Sequence, residues 1–193
     1  MKALSPVYKY LLPIATASTL LITPAAAYAA VDMFIVIDGI AGETRDSIYS
    51  KDDGIDVLAW SNGLSNSGTT QGGAGSGAGA GKVNIQDLSL TKFLDSSSPY
   101  LMLYASTGRH IESATLFVRK AGDGDGQQNY FRIEMQDIIV SSVSSGSGGE
   151  DRLSEDVTLN FAKITWTYYP TDERGNAGKP ITTGWNIAEN KEL

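Results

Sequence analysis

The sequence contains no cysteine and a single histidine, His110. Without thiols, no disulfide staples the chain and no thiolate can ligate a metal or attack a substrate. With one imidazole, a zinc site would have to be built from carboxylates. A serine hydrolase needs its histidine near a nucleophile elbow, and no such elbow is recognisable among the abundant serines. Positive charge is short as well: 15 Lys and Arg stand against 22 Asp and Glu, a net charge of −7. So acidic a chain lacks the basic face that phosphate binding requires, which argues against nucleic acid as a partner. No apolar run comfortably reaches the roughly 20 residues that span a bilayer, so stable membrane insertion is not expected.

Cofactor motifs fail at defined positions. A phosphate loop ending at Lys82 would need glycine at Ser76 and Ser or Thr at Val83. The loose dinucleotide match at Gly75, Gly77 and Ala80 leads into a strand pattern rather than a helix. Asp123-Gly124-Asp125-Gly126 lacks the third ligand and distal glutamate of a calcium loop, and reads as a hairpin turn. The sequence therefore predicts no catalytic residue, no cofactor and no metal.

What is present begins with an appendage. Lys2 and Lys9 precede a short apolar stretch, Leu11 to Ile22, and Ala27-Tyr28-Ala29 supplies the small-x-small pattern of signal-peptidase cleavage. Residues 1–29 are expected to form a leader cut after Ala29, and residues 30–193 one domain. The KYLLP run resembles a pectate-lyase-type leader.

Strand patterns follow. Val31–Ile37 is a first strand and Ile55–Ser65 a second, with Ile55, Val57, Ala59 and Ser61 on one face. Lys82–Thr91 is a third, and Ser113–Lys120 and Tyr130–Val143 follow. Val157, Leu159 and Phe161 alternate in a long strand, then the phase shifts to Ile164, Trp166 and Tyr168. That shift near Ala162 predicts a bulge or a segment buried on both faces. Ile181–Ile187 is a final strand. Ser98 is the expected N-cap of one helix, with Pro99 in its first turn and Gly108 past its end. Seven or eight strands, one short helix and no βαβ rhythm predict an all-β barrel or sandwich.

Two segments stand outside this scheme. Asn66–Gly81 holds seven glycines in sixteen residues, too long for a plain turn. Glu150, Asp151, Arg152, Glu155 and Asp156 follow the glycines of 146–149. Such a cluster reads as a solvated or interface group with Arg152 as its ion-pair partner. From the residues alone, three functions remain open. The chain is a self-assembling structural subunit, a secreted β-sandwich enzyme acting on polysaccharide through Glu150 and Asp156, or a monomeric adhesin-like binding module.

The blocks VDMFI (31–35), IDVLAWS (55–61), GAGKVNIQDLSLTKFLD (79–95), SPYLM (98–102), FVRKAG (117–122), VSSVSSGSGGEDRLSEDVTLNFAKI (140–164) and GWNI (184–187) strongly resemble the Hcp family. These haemolysin-coregulated proteins build the inner tube of bacterial type VI secretion systems, and the resemblance covers residues 30–193. It implies a β-barrel of two sheets with a flanking helix, related to phage tail tubes. It also implies a homo-hexameric ring that stacks into a tube, effector proteins in its lumen, and sheath and spike proteins as partners. Ser61, and by extension Ser65, would line that lumen. Gly72, Gly73, Gly75, Gly77 and Gly79 would belong to an arm reaching a neighbouring subunit or the next ring. Glu150, Asp151 and Arg152 match a family signature, and an inter-subunit or ring-edge role is expected for them. Family members are assembled in the cytoplasm and released through type VI secretion, whereas the leader would send this chain to the periplasm. With Asn190–Leu193 so soon after the last strand, no appended toxin domain is expected.

Overall fold

In a computed structural model, the structure describes residues 31–68, 82–120, 128–146, 149, 152–172 and 176–193. The leader with Ala27 and Ala29, the glycine arm from Gly72 to Gly79, the 123–126 turn, and Glu150 and Asp151 lie outside the described residues.

Alternating apolar residues form the strands they predict. The order is β1 (Val31–Ile37), β2 (Ile55–Asp56), β3 (Ala59–Ser61), β4 (Leu64–Asn66), β5 (Val83–Ile85), β6 (Leu88–Phe93), helix α1 (Ser98–Thr107), β7 (His110–Lys120), β8 (Asn129–Gly146), β9 (Ser154–Tyr168), β10 (Ile181–Asn186) and β11 (Lys191–Glu192). One turn of 3₁₀ helix, Tyr49–Asp52, precedes β2. All pairings are antiparallel, and nine strands share one sheet while β4 and β5 form a separate ribbon.

The large sheet closes on itself. Pairings run β2–β1–β7–β8–β9–β6–β3, and β2 and β3 lie within one stretch of chain. Val57 N–H donates to Met33 O at 2.9 Å and Leu58 N–H to Thr91 O at 2.8 Å. Residues 55–61 thus hold β1 on one side and β6 on the other, removing an open edge that would otherwise need cover. Inside sit Ile35, Leu88, Leu90, Leu116, Ile133, Ile138, Val157, Leu159 and Ile164, all buried. Helix α1 adds Leu101 and Tyr104 to this core.

The predicted second strand is three short ones. Ile55 and Val57 point inward, and then the phase slips so that Trp60, not Ala59 or Ser61, turns toward the core and stacks on Phe131 with centroids 5.9 Å apart. Serving two neighbours from one stretch forces that break. Lys82–Thr91 divides likewise, into ribbon strand β5 and barrel strand β6, whose Leu88, Leu90 and Lys92 face inward.

The phase shift near Ala162 is neither a register slip nor a doubly buried segment. It is one end of a crease across three strands. Inward alternation skips a step at Glu112–Ser113 in β7, Gln136–Asp137 in β8 and Ala162–Lys163 in β9. Ser113 pairs with Gln136 and Gln136 with Lys163, so the three skips lie side by side. Asp137 supplies the bend in β8 with φ 53°, in the left-handed region that Asp tolerates better than most residues. A separate bulge sits at Ser141, where the β8–β9 register shifts between Val140 and Ser142. The crease divides β9: its first half pairs with β6 and its second with β10.

Helix α1 follows its predicted punctuation with one correction. The N-cap is Ser97, whose side chain makes no capping bond, and Ser98 is the first helical residue. Ser98 Oγ is drawn inward to Glu155 instead, at 2.6 Å. Gly108 closes the helix at φ 64°, its N–H bonded to Tyr104 O, as a left-handed C-terminal glycine does.

Candidate functional site

The outer face of β3, β6, the first half of β9 and the end of β8 is a wall of small polar side chains. Because Leu88, Leu90, Val157 and Leu159 point inward, the residues between them point out. One cross-strand row reads Ser61, Ser89, Thr158, Ser142. The next reads Ala59, Thr91, Asp156, Ser144. The hydroxyls satisfy one another: Ser142 Oγ lies 2.6 Å from Thr158 Oγ1, and Thr91 Oγ1 donates to Asp156 Oδ1 at 2.6 Å. Asn160 Nδ2 donates to Asp87 Oδ1 at 2.8 Å. Neither row holds a large apolar or a basic side chain. Such a surface stays wetted and offers a passing protein few places to stick.

Ser61 is the exposed end of the first row. Ser65 is exposed too, but it sits in the β4–β5 ribbon opposite Asn84, so the two predicted lumen residues belong to different sheets. They stay near each other because Asn62 Nδ2 donates to Gln86 O and Gln86 N–H to Gly63 O, each at 2.8 Å. Ser89, Thr158 and Ser142 escaped the sequence reading. The signal for Ser89 and Thr158 was present in the alternation of Leu-Ser-Leu-Thr and Val-Thr-Leu-Asn, whereas Ser142 follows the bulge at Ser141.

Beneath the wall lies a buried ion pair. Lys92 Nζ contacts Glu155 Oε1 and Asp95 Oδ1, each at 2.8 Å, Ser98 Oγ at 3.2 Å and Phe93 O at 2.8 Å. Lys92 and Glu155 are 1% and 2% exposed, which corrects the expectation that Glu155 belongs to a solvated acidic cluster. Residues from β6, β9 and the start of α1 thereby meet at one charge. The remaining cluster residues divide: Asp156 is on the wall, and Arg152 lies with its guanidinium 3.8 Å from the Phe93 ring centroid. Arg152 makes a cation–π contact there, and no carboxylate among the described residues lies within ion-pair distance of it; its neighbours Glu150 and Asp151 lie outside the described residues. Arg152 lines a cleft of about 360 Å³ with Glu43, Arg45, Asp56, Phe93 and Asp95.

His110 is exposed at the crease, its Nδ1 2.7 Å from Asp137 Oδ1. No group of three potential metal ligands occurs among the described residues. Of the pair named for polysaccharide chemistry, Asp156 accepts from Thr91 Oγ1 on the wall, and Glu150 lies outside the described residues.

The sequence model of the family described as type VI secretion system effector, Hcp, matches residues 34–168. The chain is 51% identical over 163 residues to protein hcp1 of Pseudomonas aeruginosa, which spans 83% of this chain and 98% of that protein. Among solved structures, a type six secretion system protein superposes with TM-score 0.75 at 30% identity, covering 85% of this chain and all of that one. Hcp1 of Salmonella typhimurium gives 0.68 at 32% identity, over 85% and 99%. With the barrel, helix α1 and the hydroxyl wall, these likenesses are those of a structural tube protein rather than an enzyme, and the chain belongs to the Hcp family of type VI secretion.

Proposed function

We propose that this chain is the repeating subunit of a type VI secretion inner tube, six copies to a ring, with rings stacked end to end and effector proteins carried in the lumen. The observation that carries this reading is the hydroxyl wall. A conduit for folded cargo needs a lining without large apolar patches or strong charge of one sign, and the Ser61 and Thr91 rows have that character. In this reading Ser61 faces the lumen, and Ser65 stands at its margin on the ribbon. The arm holding Gly72, Gly73, Gly75, Gly77 and Gly79, and the turn with Glu150, Asp151 and Arg152, serve contacts between subunits or rings. Sheath and spike proteins are the outer partners. Residues 1–29 act as a leader removed at Ala27-Tyr28-Ala29, and N-terminal sequencing of the native protein should return Ala30.

Light scattering on the eluted protein tests the assembly. A species about six times the protomer mass is expected, and a protomer at high concentration in gentle buffer overturns the reading. Ser61→Arg should leave the ring intact and weaken cargo retention. A ring lost in that variant would place Ser61 in a packed contact instead.

A further inference from the structure

The hydroxyl wall changes character at one end. On β6 the outward residues are Ser89, Thr91 and Phe93. Phe93 stands opposite Ser154, in the row after Thr91 and Asp156. The first two rows hold no large apolar or basic side chain, whereas this third one brings both, because Arg152 lies over the Phe93 ring. Both residues line the cleft of about 360 Å³ that Glu43, Arg45, Asp56 and Asp95 complete.

The charges of that cleft are unequally engaged. Each carboxylate already has a donor within the chain. Glu43 accepts from the Ser96 N–H at 3.1 Å, Asp56 from Thr44 Oγ1 at 2.6 Å and Asp95 from Lys92 Nζ at 2.8 Å. Neither Arg45 nor Arg152 has a carboxylate within ion-pair distance among the described residues. Arg152 is prepared further by Phe93. A ring stacked on a guanidinium fixes its plane and uses none of its N–H groups, so the forked edge that matches a carboxylate stays open. Three fixed negative charges beside the two guanidiniums repel a dense polyanion. The ligand that fits carries separate carboxylates, as an acidic peptide does.

We propose that this cleft is the point of grip for a carried protein, with Arg152 and Arg45 receiving carboxylates from an acidic segment of that cargo. The inference rests on the tube reading and names the chemistry of the partner. It assigns the Arg152 guanidinium to cargo and leaves Glu150 and Asp151 to the subunit contact. A wall of hydroxyls lets a protein pass, and the arginines at its end give that protein one place to be held.

Fluorescence anisotropy of a labelled four-glutamate peptide on the assembled protein tests this, with a four-glutamine peptide for comparison. The acidic peptide should bind about tenfold tighter than the neutral one, and added salt should narrow that margin. Arg152→Gln should abolish the margin, and Arg152→Lys, which keeps the charge without the planar fork, should leave most of it lost. Arg45→Gln should weaken binding about threefold. Arg109→Gln, at an exposed arginine outside the cleft, should change nothing. These arginines are all exposed, so the melting profile should hold in every variant. Equal binding of the two peptides, binding unmoved by Arg152→Gln, or an equal loss with Arg109→Gln overturns the proposal. So does a peptide taken by dissociated protomer but not by the ring, which would mean that a second copy covers the cleft. Light scattering on the same samples reports the ring separately, so the ring reading survives each of these results. An unsubstituted chain that stays a protomer overturns both.

Discussion

Two buried cations hold different parts of the barrel, and they are solvated by the protein in different ways. Lys92 is enclosed by oxygen: two carboxylates, a hydroxyl and a main-chain carbonyl lie within 3.2 Å of its nitrogen. Arg119 has fewer polar partners. Its Nη2 reaches Asp46 at 2.6 Å and Asp32 at 3.3 Å, while Nε and Nη1 are buried without partners among the described residues. Aromatic faces make up part of the difference, with the guanidinium 5.0 Å from the Phe34 ring and 5.6 Å from that of Tyr49. The lysine ties β6, β9 and α1 together at a fully internal point. The arginine pins β7 to β1 and to the connection before β2, where Asp32 is partly in water. A compact ammonium demands close oxygens, whereas a flat, weakly hydrated guanidinium tolerates a ring surface.

The largest effect should come from breaking the first of these. Lys92→Met leaves Glu155 charged and buried with Ser98 as its remaining partner, and should cost about 3–5 kcal/mol. Denaturant melts measure this, and a loss below about 1 kcal/mol would mean that water reaches the site. The double variant Lys92→Met with Glu155→Leu sharpens the comparison, since removing both charges should recover most of the loss. Arg119→Met should cost less, about 1–3 kcal/mol, because Asp46 and Asp32 retain access to water.

Acid should distinguish the two sites more finely. Burial acts to raise the Asp46 carboxyl, but the Arg119 hydrogen bond, the N–H groups of Ile48 and Tyr49 and the Arg119 charge together hold it below the ordinary carboxylate value of 3.8. A group depressed in the folded state stabilises the protein above its unfolded value and loses that contribution as pH falls through the folded one. The Asp46 contribution should therefore be complete at neutral pH and fade below about pH 4. Asp46→Asn should flatten that part of the stability profile, and an unchanged profile would place the acid sensitivity elsewhere. Burial pushes the Tyr49 phenol up, so it should remain a donor to Asn129 well into the alkaline range. Smallest of all, Thr91→Val on the wall removes one exposed hydrogen bond and should shift stability by about 0.5 kcal/mol.

Local signals in the sequence located most of the strands and the helix. Period-two alternation placed β1, β7, β8 and β9, and Gly108 marked the helix end. What escaped depends on the third dimension. Nothing within Ile55–Ser65 announces that it must border two strands at once, and that duty breaks it into pieces. Lys92 and Glu155 look like surface charges until β6 and β9 are paired. Ser98 reads as a cap because serine commonly caps, yet its hydroxyl is recruited by an acid 57 positions away. The wall was half legible: Ser61 came from family resemblance, while its row partners required the register.

Strand β9 runs unbroken from the hydroxyl wall to its pairing with β10, with its skip at Ala162–Lys163 lying beside those of β8 and β7 in the crease. Its length is therefore fixed to the residue. One added or deleted position upstream of the skip would turn Asp156 and Thr158 into the core and Val157 and Leu159 out to the wall. The same change downstream would empty the place of Ile164 and misplace Trp166. Substitution along this strand preserves the phase of its side chains, whereas an inserted residue reverses it on one side of the skip.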